Sequence, residues 1–143
     1  MRLWHKDLIP HLTRQHLLGQ HRELCALRGN GWKRKHSTVN YVFLHTWGDL
    51  YMFHLAVMDE MKKRGYHPNK NWENMYYRGR NCPALSETYF APVKTKFKGY
   101  PEHNKEYLGF CCKLLKERVE KAPEGKYKDL EVKKLMKFIQ GEK

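Results

Sequence analysis

Several stretches of this chain keep an apolar repeat of helical period, and none keeps the alternation of a strand long enough to build a sheet, so an all-α fold is expected. The sharpest stretch is Thr13 to Arg28. At 100° per residue, Leu17, Leu18, His21, Leu24 and Cys25 fall within about a third of the circumference and form the expected buried face. Off that stripe, His16, Gln20 and Glu23 recur at i, i+4 and i+7, with Arg22 beside the carboxylate. Only a dozen residues separate this row from Met1, which brings a free α-amine within reach of Glu23.

The rest of the chain divides around that helix. Residues 1 to 12 combine Leu3, Trp4, Leu8, Ile9 and Leu12 with Pro10, too broken for a long helix but apolar enough to be tied down by packing. Gly29-Asn-Gly31 is a strong helix stop, and a basic loop with one aromatic ring, Trp32-Lys-Arg-Lys-His36, follows. From Val39 to Met61 the chain is apolar, with Gly48-Asp49 as a break or cap. Beyond it Leu50, His54, Val57, Met58 and Met61 share a helical face that ends at Gly65. Residues 66 to 101 show no sustained period and read as irregular. A third helix is expected after Pro101-Glu-His103, with Tyr107, Phe110, Cys111, Leu114 and Leu115 inward, interrupted at Pro123-Glu-Gly125. A short basic amphipathic helix runs from Asp129 to Ile139. The expectation is one compact domain over residues 1–143, about three main helices joined by long irregular connections.

At 143 residues such a domain can bury a core without disulfides or a structural metal. Cys25, Cys82, Cys111 and Cys112 form no CxxC pair and read as reduced core thiols, and the nine histidines show no ligand spacing, so no metal or other cofactor is expected. The 28 Lys+Arg against 15 Asp+Glu leave a net charge of +13, which points to a polyanion. No segment approaches the roughly 20 apolar residues of a membrane span, and neither a secretory leader nor a lipidation motif is visible. A cytoplasmic monomer acting on nucleic acid is the expectation.

Among nucleophiles, an α-amine has a reference pKa of about 7.7–8.0 against about 10.4 for lysine, so far more of it is neutral near pH 7. Arg2 next to it disfavours the ammonium further. Because methionine is trimmed only before small residues, Met1 is expected to stay and to supply that amine. Taken alone, a helical glutamate beside an arginine is ordinarily a solvated acid.

The segment Gln15-His-Leu-Leu-Gly-Gln-His-Arg-Glu-Leu24 resembles the amino-terminal helix of the pyrimidine dimer DNA glycosylases, the endonuclease V proteins of T-even phages and their viral and bacterial relatives, which reads Gln-His-Leu-x-x-x-Tyr-Arg-Glu-Leu. Met1-Arg2-Leu3 is similar to that family's Thr-Arg-Ile start. Lys63-Arg64-Gly65-Tyr66 is similar to the Lys-Arg-Gly-Phe that closes its middle helix, and Tyr100-Pro-Glu-His103 with the following helix is a third match. Three positions depart: methionine replaces the terminal threonine, His21 replaces the helix tyrosine, and Lys126 to Ile139 replaces an aromatic tail.

The resemblance implies a compact all-helical glycosylase with abasic-site lyase activity on damaged double-stranded DNA. Met1 would be the amine donor and Glu23 the catalytic acid. Arg2, Arg22 and His16 would hold phosphates, with Lys33, Arg34 and Lys35 as general DNA attraction. Two alternatives stay open: a non-catalytic or regulatory nucleic-acid-binding protein on the same helical frame, and an enzyme of this frame acting on another modified base.

Overall fold

The computed structural model describes residues 2–34, 38–85 and 99–141. Four α-helices, α1 (Arg14–Arg28), α2 (Trp47–Lys63), α3 (Lys105–Lys121) and α4 (Asp129–Gly141), are joined by three 3-10 segments, Lys6–His11, Asn40–Leu44 and Lys70–Glu73. No strand occurs among the described residues, and the chain is all-α as its periodicity predicts. The principal packing is α1 on α2. The segment Lys6–His11 lies against both α2 and α4, and α4 also packs on α3.

Local chemistry sets the helix ends. The Thr13 hydroxyl accepts from the His16 amide to start α1. At α2 the break expected at Gly48-Asp49 is a cap: Thr46 accepts from Asp49 N–H, and the Asp49 carboxylate accepts from Thr46 N–H. This reciprocal arrangement satisfies two of the donors that every helix start leaves open. At the end of α1, Gly31 N–H reaches back to the Ala26 carbonyl at 2.8 Å. A Cβ on Gly31 would lie 2.7 Å from that same oxygen, so the stop needs glycine there.

The core joins Leu3, Leu8 and Leu12 of the first segment to Leu17, Leu24 and Leu27 of α1 and to Leu50, Phe53 and Val57 of α2. On α2, Leu50, His54, Val57, Met58 and Met61 are all buried, as their shared face predicts. Two faces are turned from the expected setting. On α1 the buried residues are Leu17, Gln20, Leu24, Leu27 and Arg28, while Leu18, His21 and Cys25 are half-buried. On α3 Leu108, Cys111, Cys112 and Leu115 are buried and Phe110 is 49% exposed, its ring covered by the Arg2 guanidinium at 4.8 Å. Trp32 packs edge-on against Phe43 and Trp47 and so covers the core beside its basic loop.

Arg28, with no accessible surface, organises the irregular stretch after α2. Its guanidinium donates to the carbonyls of Trp72 and Asn74 at 2.8 Å and Tyr77 at 3.1 Å, and to His54 Nδ1 at 2.9 Å. Rings of Trp47, Tyr51 and Trp72 surround it. Burial lowers its pKa to about 10, so it stays charged at neutral pH. A cation at the C-terminal end of α1 is favoured by the helix dipole as well as by those carbonyls.

Two glycines give opposite expectations. Gly31→Ala should cost about 1–3 kcal/mol, because the new methyl meets fixed backbone. Gly109→Ala, in α3 with nothing within 4 Å of the added carbon, should gain about 0.5–1 kcal/mol through helix propensity. Urea unfolding of both variants measures the difference.

Candidate functional site

Residues 2–4 run alongside α1, held at both ends by the Gln20 side chain, while the Tyr107 hydroxyl donates to the Leu3 carbonyl between them. Gln20 is fully buried; its Oε1 accepts from the Trp4 amide at 2.6 Å, and its Nε2 donates to the Arg2 carbonyl at 2.9 Å and to Glu23 Oε2 at 3.2 Å. The Arg2 amide also donates to Glu23 Oε2, at 3.3 Å. The row expected off the apolar stripe is therefore real, although its middle member belongs to the interior. Glu23 Oε1 receives no hydrogen bond from the described residues, and Glu23 makes no ion pair with any of them.

These groups line a cleft of about 380 Å³ with Trp4, Gln15, His16, Gly19, Thr38 and Arg118. Glu23 is the one acid among its described lining residues. Arg118 of α3 joins the lining, and the connection to α4 packs on α1 beside the cleft. Gln15 Nε2 donates to the Lys126 carbonyl at 2.6 Å, the His16 ring stacks on Tyr127, and the Arg118 guanidinium lies 5.2 Å over the Trp4 ring. Arg118 is absent from the residues the sequence singles out. Its signal was weak but present: it sits seven residues after Cys111, a cation on the rim of the buried stripe of α3.

Of the residues expected to act, Arg2, His16 and Glu23 meet in this cleft. Arg22 is exposed on α1 beside it, its guanidinium near Gly19. Lys33, with φ of 60°, and Arg34 are exposed in the turn after α1 and do not line the cleft. Met1 and Lys35 lie outside the described residues. His16 differs from a phosphate-holding cation: burial, then the nearby Arg118 and Lys126, lowers its pKa to about 4, so the ring is neutral near pH 7. It offers a neutral hydrogen bond, with Nδ1 paired to the Thr13 hydroxyl at 2.7 Å.

The cleft thus sets one carboxylate among guanidiniums on a small basic helical domain whose first helix is caught by the backbone of residues 2–4. Comparison with known families makes this specific: the family model described as pyrimidine dimer DNA glycosylase matches residues 1–74, just over half of the 143-residue chain. The chain belongs to that family of DNA repair glycosylases. Comparisons with curated proteins and with solved structures give no match.

Two outcomes follow from the geometry. Gln20→Leu orphans the buried Trp4 N–H and should cost about 1–3 kcal/mol, with faster hydrogen exchange at Arg2 to Trp4 as the local readout. For acid sensitivity, the unfolded chain takes up protons on His16 and His103 near pH 6.5, whereas the folded chain resists until about 4 at His16 and about 3 at His103. Stability should therefore fall as pH drops from 7 toward 4, by at most about 1.4 kcal/mol per pH unit for each ring. His16→Gln should flatten that slope in urea titrations at stepped pH.

Proposed function

We propose that the protein removes a damaged base of the pyrimidine-dimer type from double-stranded DNA and then cleaves the abasic strand, with the α-amine of Met1 as nucleophile and Glu23 as the acid that serves it. The observation that carries this reading is the 3.3 Å contact between the Arg2 backbone nitrogen and Glu23 Oε2. The amine of the preceding residue is three covalent bonds from that nitrogen, hence within about 4 Å of it at any rotation. That bond geometry supports Met1 as the amine donor.

The neutral amine attacks the sugar C1′, the base leaves with the electron pair of its glycosidic bond, and loss of a proton from nitrogen with ring opening leaves a protonated imine between protein and sugar. Glu23 stabilises the developing positive charge, and its Oε1, which takes no hydrogen bond from the described residues, accepts the C2′ proton as the 3′ phosphate departs by β-elimination. Arg2, Arg22 and Arg118 supply cations along the cleft for the flanking phosphates, and the +13 charge steers the duplex to it. Reaching C1′ requires bending or flipping, which costs less at a lesion because stacking there is already impaired. The chemistry needs one chain and no cofactor.

Borohydride trapping on an abasic-site duplex tests the assignment. Wild type should form a covalent complex, lost when the terminal amine is acetylated and reduced about 10²–10⁴-fold in Glu23→Gln, with circular dichroism confirming the fold. Intact-mass spectrometry establishes that Met1 is the first residue of the protein used. A chain that binds the duplex normally and never crosslinks is a binding module, and the proposal fails. With about five phosphate contacts, log K should fall against log salt with a slope near −4 to −5, and a flat response removes nucleic acid as the partner.

A further inference from the structure

A cluster on the other flank of α1 takes no part in that chemistry. His21 and Cys25, one turn apart on α1, meet His54 of α2, and one donor atom from each lies within 4.8 Å of the others. Cys25 Sγ is 3.7 Å from His21 Nε2 and 3.9 Å from His54 Nε2. With metal–sulfur and metal–nitrogen bonds of about 2.3 and 2.0 Å, sulfur and nitrogen on one ion are separated by about 3.5 Å in a tetrahedral site and 3.7 Å in a trigonal one. We propose that His21, Cys25 and His54 form a three-donor site for a soft d10 metal ion, monovalent copper, linking α1 to α2.

The donor set and the surrounding charge favour that ion. One thiolate and two imidazoles suit soft and borderline cations, and three donors satisfy a three-coordinate one. The Arg28 guanidinium sits 2.9 Å from His54 Nδ1. Since guanidinium only donates, that nitrogen is an acceptor in the metal-free protein, and the His54 proton is on Nε2, donated to His21 Nδ1 at 2.9 Å. Binding therefore moves three protons. The Cys25 proton leaves for solvent as the sulfur–metal bond forms, and the ring protons of His54 and His21 each shift from Nε2 to Nδ1 so that both Nε2 atoms can ligate. Arg28 gives up one acceptor and keeps the carbonyls of Trp72, Asn74 and Tyr77. Exchange of one proton for Cu(I) leaves the charge beside buried Arg28 unchanged, whereas a divalent ion adds one positive charge there.

The test is anaerobic competition for Cu(I) against a chromophoric chelator, with a parallel Zn(II) series. Wild type should take one Cu(I) per chain and hold it more tightly than Zn(II). Cys25→Ser and His21→Gln should weaken Cu(I) binding at least about 100-fold, and Cys82→Ser should leave it unchanged. Circular dichroism and thermal unfolding show that the variants fold. Imidazole nitrogen resonances should report the His54 proton moving to Nδ1 on loading. Copper retained undiminished by Cys25→Ser, or no stoichiometric uptake by wild type, overturns the site. Tighter binding of Zn(II) overturns the assignment to a monovalent ion.

Discussion

The buried amide of Gln20 is the interaction on which both fold and site depend. A primary amide without solvent needs partners for its oxygen and nitrogen, because an unpaired polar group in the interior costs about 1–3 kcal/mol. Gln20 finds them in the backbone of Arg2 and Trp4 and in the carboxylate of Glu23. The polarity is consistent throughout, with Oε1 accepting and Nε2 donating. Pinning residues 2–4 in this way directs Leu3 and Trp4 inward and places the following 3-10 segment where Leu8 and Ile9 reach the core. The demand that orders the first residues also sets the orientation of the acid.

Around that acid, the arrangement keeps opposite charges apart. Both donors to Glu23 Oε2 are neutral amides, while the guanidiniums of Arg2 and Arg118 lie over the rings of Phe110 and Trp4. An arginine stacked on a ring stays charged and accessible without being consumed by a carboxylate. The cleft can thus present a negative group to a developing cation and positive groups to phosphates at once. Arg28 and Arg78 are spent differently. Arg28 holds the carbonyls of residues 72 to 77, and Arg78 donates to the carbonyls of Arg28 and Gly29 at 2.8 and 2.7 Å. Part of the basic excess is architectural, and composition alone does not separate the two uses.

What was legible from sequence follows from what periodicity measures. It reports contacts within one element, so the existence of α1, α2, α3 and α4, the stop at Gly29 to Gly31 and the cap near Asp49 are all readable. It does not report which turn of a helix meets which neighbour. The face of α1 was misjudged because a polar Gln20 is interior, satisfied by backbone 16 to 18 residues away, and α3 was misjudged because Phe110 is covered by a cation rather than by core. The buried Arg28 and the meeting of His21 with His54 arise from packing between separate helices, for which neighbouring residues carry no signal, and the position of Arg118 on the rim of the α3 stripe gives only a weak one. The row of His16, Gln20 and Glu23 was legible because all three are on one helix.

The two flanks of α1 explain how one short helix carries so much. Glu23 and Cys25 are two residues apart, about 200° around the axis, so the side that holds residues 2–4 and the side that meets α2 face away from each other. Between them runs an exposed strip with Gln15, Arg22 and Ala26, interrupted by Gly19. A Cβ at Gly19 would approach only the Arg22 guanidinium, at 3.7 Å, so the glycine leaves the mouth of the cleft low beside the acid. Under the proposed function, a duplex backbone approaching along this strip would meet the Arg22 cation first and Glu23 one step deeper. A helix fixed on both flanks keeps that acid in place while the side between them stays open.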